Sequence, residues 1–450
     1  MAMSADIQEI HQEFLKSDGI CTDTRQLAPD CFFVALKGDN FDGNAFVLAA
    51  LKAGAKTILM EDKTPYNDAS LAPYSAQIFF ADDTLEALQD LARFHRKYLN
   101  LPLIALTGSN GKTTTKELLH AALSQEFNCM ATLGNLNNHI GVPLTLLGMN
   151  KETEVGIVEM GANHQGEIAA LCQIAMPNFG YITNFGKAHL EGFGGEEGVI
   201  KGKSELIDYL RETGGHMFVQ ATDHRQLERT NGIERTILNK EDHWQVLQNI
   251  QSENPSLKPK KAVPTLTLNS EKGSVHTQLI GDYNLPNVIA AAEIGTYFGV
   301  SWDEIKKALE SYVPKMNRSQ GLKRGNHDLI MDAYNANPSS VRAALIHFDQ
   351  THCEGNKTII LGDMFELGPK ALEEHQRIVD LAEQLSFDEI YLTGSLFHQT
   401  QHESPHIHSF EHFKALENDL LESPPKLGSV LIKGSRLMAL ERLLDSVFKA

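Results

Sequence analysis

The stretch Leu101-Pro102-Leu103-Ile104-Ala105-Leu106-Thr107-Gly108-Ser109-Asn110-Gly111-Lys112-Thr113-Thr114-Thr115-Lys116-Glu117-Leu118-Leu119-His120 reads as three consecutive elements. The apolar run Leu101 to Leu106 has the length of a buried strand, and Lys116 to Ser124 repeats its apolar residues at helical spacing. Between them lies a glycine-bounded loop. Glycines let successive backbone N–H groups wrap an oxyanion, and the following helix turns its positive end toward it. The lysine neutralises charge, and the threonine hydroxyl can reach a magnesium ion. The stretch therefore points to a nucleotide phosphate site on the edge of a parallel sheet. It is shorter than the full phosphate-loop pattern, because Leu106 stands where the first glycine of that pattern falls. Read alone, Gly-x-x-Gly-Lys-Thr also fits a tight strand-to-helix turn.

Two later strand ends supply what the loop lacks. Val155 to Val158 is an apolar run closed by Glu159, which sets a carboxylate on the carboxyl edge of the sheet, where open α/β sheets bind ligands. Tyr181 to Asn184 runs into Gly186-Lys187-Ala188-His189 and brings an imidazole to the same rim. Thr113, Glu159 and His189 around phosphates make a Mg²⁺ shell, although imidazole is an uncommon ligand for so hard a cation. Taken singly, His189 reads equally as a hydrogen-bonded structural histidine.

Apolar runs alternate with helical segments along most of the chain, which is the pattern of an α/β protein with helices covering parallel sheets. At 450 residues it has room for about three domains. The polar stretch Arg96 to Asn100 separates a small α/β domain, 1–99, from a central parallel-sheet domain, 100–313. Pro314 to Gln320 then opens a third, 314–450, in which strand-like runs at Leu329 to Met331, Thr358 to Leu361, Glu389 to Thr393 and Val430 to Ile432 alternate with helical stretches. That is a doubly wound, Rossmann-like pattern. From Asn239 to His276 the chain is polar, with Lys258, Lys260 and Lys261 around Pro259, which reads as a solvated loop feeding a hairpin. His402, His406, His408 and His412 flank Ser404 and Pro405 without a helical face, and read as solvated loop rather than metal site.

The 58 acidic against 40 basic residues, net charge −18, disfavour nucleic acid as a partner, since phosphate neutralisation needs a basic face. Five cysteines without a C-x-x-C pair suggest reduced, buried thiols. No leader-like apolar region stands near Met1 to Ile20, and no run approaches about 18 apolar residues, so a cytoplasmic protein without membrane insertion is expected.

These residues resemble the Mur ligases. Thr107 to Thr113, Glu159, and Thr183-Asn184 followed by His189 match that family's signature positions. Gly134-Asn135-Leu136-Asn137-Asn138-His139-Ile140-Gly141-Val142-Pro143 resembles its loop beside the substrate, and Gly281-Asp282-Tyr283-Asn284-Leu285-Pro286-Asn287 resembles its hinge segment. The resemblance implies ATP held by Gly108, Ser109, Asn110, Gly111, Lys112, Thr113 and Thr114. It assigns adenine to Asn287 and ribose to Asp332, and adds Arg318 beside the phosphates. It places one Mg²⁺ on Thr113 and Glu159 and a second near His189. It also implies that Lys203, in Lys201-Gly202-Lys203-Ser204-Glu205, carries a carbamate that holds this second metal; Lys201 is the other candidate for that position. Lys112, His189, Lys203 and Arg318 are then the catalytic set.

Within the family, Asp332-Ala333-Tyr334-Asn335-Ala336-Asn337-Pro338, Gly362-Asp363-Met364-Phe365-Glu366-Leu367-Gly368 with His375, and Lys433-Gly434-Ser435-Arg436 resemble the members that join D-alanyl-D-alanine to UDP-N-acetylmuramoyl-tripeptide. Asp23-Thr24-Arg25 and Phe32 to Gly38 resemble the uridine-diphosphate-binding domain. Thr24, Arg25, Asn137, Asn138, Asn335, Asn337, Asp363 and Glu366 are the implied substrate contacts, and a monomer is implied. Two positions depart from the family pattern. Asp42-Gly43-Asn44 stands for Asp-Gly-His, and Asp332-Ala333-Tyr334 for Asp-Ser-Tyr. Three other readings stay open: a folylpolyglutamate synthetase, a phosphate-loop kinase or ATPase, and a nucleotide-bound scaffold without chemistry. The third residue of the tripeptide, diamino acid or lysine, is not written in the sequence.

Overall fold

The computed structural model describes residues 6–61, 70–239, 244–247, 265–315 and 317–449. The lysines at 258, 260 and 261 lie outside them. Three sheets carry the molecule, and in each the successive side chains of a strand enter different cores, so each sheet is covered on both faces. In the first, ordered Ile20–Cys21, Phe32–Val34, Thr57–Met60, Ile78–Phe80, Phe32, Val34 and Leu59 face the helices Ile7–Lys16 and Thr84–Leu99. Phe33, Ile58 and Met60 face the short helix Val47–Lys52.

The second sheet is six-stranded and parallel, ordered Glu234–Leu238, His216–Gln220, Phe179–Ile182, Leu103–Thr107, Val155–Glu159, Cys129–Ala131. Leu103 and Ala105 point to one core; Ile104 and Leu106 join the other, beneath the helices Lys112–Leu123 and Leu285–Tyr297. Leu103–Thr107 lies between strands that follow it in opposite directions of winding, so a crevice opens at its carboxyl end.

The third sheet runs Gln320–Arg324, His327–Asp332, Gly428–Lys433, Asn356–Gly362, Glu389–Thr393, Ile407–Phe410, parallel except for its first strand. Ile330, Ile359, Leu361 and Leu431 pack under the helices Pro338–Gln350 and Ala371–Gln384, while Leu329, Met331, Ile360 and Val430 pack over Phe413–Glu422. The chain is a three-domain α/β protein.

The differences from expectation have local causes. The strand expected at Tyr181 to Asn184 ends at Ile182, because Thr183 and Asn184 turn their side chains to Asn110 of the phosphate loop. Gln320–Arg324 is an antiparallel edge strand where polar connection was expected; its alternating half-exposed residues hide it from a hydrophobicity reading. The expected hairpin is present as Thr267–Ser270 and Gly273–His276. His408 belongs to an edge strand and pairs with Glu389 instead of lying in a loop. The five cysteines are free, with Cys31 and Cys172 buried and the other three half-buried. No helix among the described residues is long and apolar enough to cross a membrane.

The helix Thr84–Leu99 joins the first two domains. Asp83 caps it by accepting from Leu85 N and Glu86 N at 2.7 and 2.9 Å, which satisfies backbone donors the helix cannot. Its buried Arg96 donates to Ala175 O at 3.0 Å and Asn178 Oδ1 at 2.8 Å in the central domain. His95 completes the join through Met149 O at 2.9 Å and bonds His11 ring to ring, also at 2.9 Å. That chain of bonds cannot hold with both imidazoles protonated. Burial, then the His95 charge, pushes His11 down to about 4, and burial lowers His95 as well. Unfolded histidines take up protons near their ordinary value of about 6.5, so the unfolded state binds more protons between about 6.5 and 4. Stability contributed by the pair is present above that window and lost as pH falls through it. Thermal melts should show the midpoint dropping across this range, with a shallower drop in His11→Phe; identical slopes would show that the pair is not linked to folding.

Candidate active site

The loop that opened the sequence reading is shaped by close approach. Gly108 has φ +138°, and a Cβ there would stand 2.0 Å from Thr183 Oγ1. Gly111 has φ +80°, and a Cβ would stand 2.5 Å from Asn287 Oδ1. Both positions need glycine for conformation and for space. Thr183 Oγ1 donates to Asn110 O at 2.6 Å, and Asn110 N donates to Asn184 Oδ1 at 3.2 Å, so the neighbouring strand end fixes the loop. Lys112 starts the helix and donates to Gly108 O at 2.7 Å.

Thr113 Oγ1 donates to Glu159 Oε1 at 3.2 Å, and Asn137 Nδ2 donates to the same oxygen at 2.8 Å. The other oxygen, Oε2, is buried without a hydrogen-bond partner and lies 3.9 Å from Lys116 Nζ. Lys116, one helical turn after Lys112 and buried, also donates to Gly134 O at 3.1 Å, which ties the phosphate-loop helix to the Asn135–Asn137 loop. Burial lowers the pKa of Lys112 and of Lys116; Glu159 opposes this, and the Arg318 charge adds to it. Two lysines thus face Glu159, with Arg318 near enough to act on both, an excess of positive charge suited to a polyanion.

The third domain closes the other side. Arg318 lies with its guanidinium carbon 3.7 Å from the Tyr334 ring centre. Asp332 pairs with the buried Lys433 at 2.6 Å, as their neighbouring register positions on adjacent strands dictate. Asn110 Nδ2 donates to Ser339 Oγ at 3.0 Å, and Asn337 Nδ2 donates to Asn110 Oδ1 at 2.7 Å, both across the domain junction. Beside them His189 Nδ1 pairs with Glu366, whose carboxyl this contact holds below its ordinary value, and Lys187 Nζ pairs with the buried Glu374 at 2.8 Å.

One cavity of about 930 Å³ results, and it collects most of the expected set. Ser109 to Thr114, Asn137, Asn138, Glu159, His189, Asn287, Arg318, Asp332 and Asn335 line it. Asn138 does so while its carbonyl oxygen caps the helix Gly141–Gly148. Asn287 lines it with its amide engaged by Thr115 and Asn284.

The remaining expected residues stand elsewhere. Asn337 is buried, caps the helix Pro338–Gln350 and reaches Asn110, and is not among the residues that line the cavity. Asp363 is also buried, and accepts from Leu396 N and Phe397 N at 2.9 Å, closing a turn at the end of its sheet. Glu366 reaches the cavity rim only through His189. Thr24 and Arg25 sit in a 3-10 turn outside the cavity, with Arg25 exposed and paired to Asp23. Asn44, at the first departure from the family pattern, is buried and donates to Asp42 while accepting from Glu61 N. Of the two lysine candidates, Lys201 is exposed and Lys203 is buried, donating to Ala162 O at 3.2 Å. Sequence reading missed Lys116 and took Lys433 only as part of a motif, since the roles of both depend on burial. A lysine one turn after the phosphate-loop lysine was the available signal for the first.

Three family models match the chain in succession: Mur ligase family, catalytic domain, at 16–96; Mur ligase middle domain at 106–295; and Mur ligase, glutamate ligase domain, at 317–436. The chain is a Mur ligase. UDP-N-acetylmuramoyl-tripeptide--D-alanyl-D-alanine ligases of Bacillus subtilis and Escherichia coli are each 32% identical to it, over 96% of this chain and 93% of theirs. Among solved structures, MurF of Acinetobacter baumannii superposes with a TM-score of 0.81 at 30% identity, covering 98% of both chains. MurF of Thermotoga maritima, in complex with ADP, gives 0.79 at 26% identity over 96% of this chain and 97% of that one. The FPGS of L. casei shares the fold, with a TM-score of 0.54 at 13% identity over 79% of this Mur ligase and 93% of that chain.

Proposed function

We propose that this Mur ligase uses ATP to join D-alanyl-D-alanine to UDP-N-acetylmuramoyl-tripeptide in peptidoglycan precursor synthesis, acting in the cytoplasm as a monomer with domains 1–99, 100–313 and 314–450. The likeness to ligases of that name along nearly the whole chain carries this reading. The site supports it, since cations from two domains meet at one cavity that also opens toward the first domain through Gln89 and Arg93.

A carboxylate and an amine exchange a proton rather than condense, and the carboxylate carbon is a poor electrophile. Activation comes first. The terminal carboxylate oxygen of the tripeptide attacks the γ-phosphorus of ATP, the bond to the β-bridging oxygen breaks, and ADP leaves. Lys112 and Arg318 stabilise charge on the transferring group, and the backbone N–H groups of residues 111–114 cradle it. The dipeptide amine then attacks the acyl phosphate carbonyl, loses a proton, and phosphate departs. The third domain, held against the phosphate loop through Asn110, excludes water from this hydrolysable species. Mg²⁺ fits here, because Glu159 Oε2 is a buried, unpartnered hard donor beside Thr113 Oγ1. When bound, it neutralises phosphate charge. Residues Thr113 and Glu159 would hold one ion, with His189 and a carbamate on Lys203 at a second.

The test is ADP release with each substrate omitted in turn. Release requiring both the UDP-linked tripeptide and D-alanyl-D-alanine is expected. Full turnover without the dipeptide would instead identify an ATPase or kinase, and no release with everything present would leave a nucleotide-bound scaffold.

A further inference from the structure

The turn that presents Arg318 is unusual for its residues. Asn317 and Ser319, on either side, both have left-handed backbones, with φ +55° and +46°. Neither is glycine, so the conformation must be held from outside. Asp332 Oδ1 accepts from Ser319 N at 3.3 Å, and Ser319 Oγ bonds the Tyr283 hydroxyl at 2.8 Å. These contacts fix the backbone and leave the long side chain to be placed. Its guanidinium carbon stands 3.7 Å from the centre of the Tyr334 ring, while Nε is buried without a hydrogen-bond partner. A cation at that distance sits over the ring, a contact that restrains the head group but spends none of its N–H donors on an acceptor. Arg436, from the last strand's exit, lies 6.0 Å from the same ring. Tyr334 follows Asp332 by two residues, so one strand end fixes both the backbone and the head group of Arg318.

We propose that Tyr334 is a positioning residue whose ring sets the Arg318 guanidinium for contact with the transferring phosphoryl group. The inference rests on the ligase reading above. The ring acts through Arg318, and the hydroxyl at this position is dispensable.

A double-mutant cycle on the full chain tests it, reading kcat and the KM for ATP. Tyr334→Leu lowers kcat by about 3- to 30-fold, the range of a desolvated cation–π contact, with little change in the KM for ATP. Tyr334→Phe recovers most of that loss. In an Arg318→Ala background, Tyr334→Leu adds no further loss. Losses that multiply across the two sites would overturn the proposal, as would a Phe variant as slow as Leu, or a raised KM for ATP at unchanged kcat, which would make the ring a base contact. Tyr334→Met gives the same reading should the leucine variant fail to fold. Wild-type protein assayed alongside separates the two levels: no dipeptide-dependent ADP release in wild type refutes the ligase reading, whereas multiplying losses with an active wild type refute only the role of Tyr334.

Discussion

Lys112→Ala turns over at about one hundredth of the wild-type rate or less, because a preorganised charge on a developing oxyanion is worth roughly 3 to 4 kcal/mol in the transition state. The fold should not suffer with it. In the protein alone, Lys112 is a desolvated ammonium whose pKa burial drives down, and Arg318 repels it. Its hydrogen bond to Gly108 O is a modest return for that desolvation. The alanine variant should therefore melt at or above the wild-type temperature while losing turnover. This combination distinguishes a catalytic cation from a structural one. ADP formation under saturating substrates, beside a thermal melt of the same preparation, checks both halves. Near-normal turnover would show that the loop is not the catalytic phosphate site.

What could be read in advance follows from which physics is local. The phosphate loop and Glu159 could be placed together because each sits where a strand of apolar residues ends, and a parallel sheet aligns such ends on one edge, while His189 reaches that edge from the loop beyond Ile182. The doubly covered sheets were legible for the same reason, since strands buried on both faces write near-continuous apolar runs. The structural roles of Asn337 and Asp363 were not legible, because a polar residue beside a strand or helix end serves equally as a substrate contact or a cap. Only tertiary structure shows that Asn337 caps a helix and that Asp363 receives two backbone N–H groups. Gln320–Arg324 escaped because an edge strand pairs on one side only and needs few apolar residues. Tyr334 and Lys116 escaped because their meaning is a distance to a residue far off in sequence or a degree of burial. No spacing encodes the 3.7 Å between Arg318 and the Tyr334 ring.

Lys203→Ala should largely abolish activity, and small carboxylic acids added to the buffer should restore part of it. The family resemblance left Lys201 and Lys203 as alternatives for a carbamate, and their surroundings differ. Lys201 is exposed on the helix Glu196–Thr213. Lys203 is buried, with a hydrogen bond to Ala162 O at 3.2 Å and the Phe193 ring centre 5.0 Å from its Nζ. Burial, and then the charge of Lys112, pushes its pKa well below the ordinary lysine value. Carbamate formation consumes the neutral amine: nitrogen attacks carbon dioxide, an N–C bond forms, and one proton is released. A buried lysine whose site disfavours the protonated form is thus better prepared for the reaction than Lys201, which stands in solvent. The product is an anion with hard oxygens, and it replaces the repulsion between Lys203 and Lys112 by attraction. A free acid can occupy the same space once the side chain is cut back, which is the basis of rescue. Isotopically labelled bicarbonate should also give a carbamate carbon resonance in wild-type protein, and none in Lys203→Ala. Full activity in Lys203→Ala, or loss without rescue together with no carbamate signal in the wild type, would sink the assignment. Lys201→Ala should stay near wild-type in both measurements.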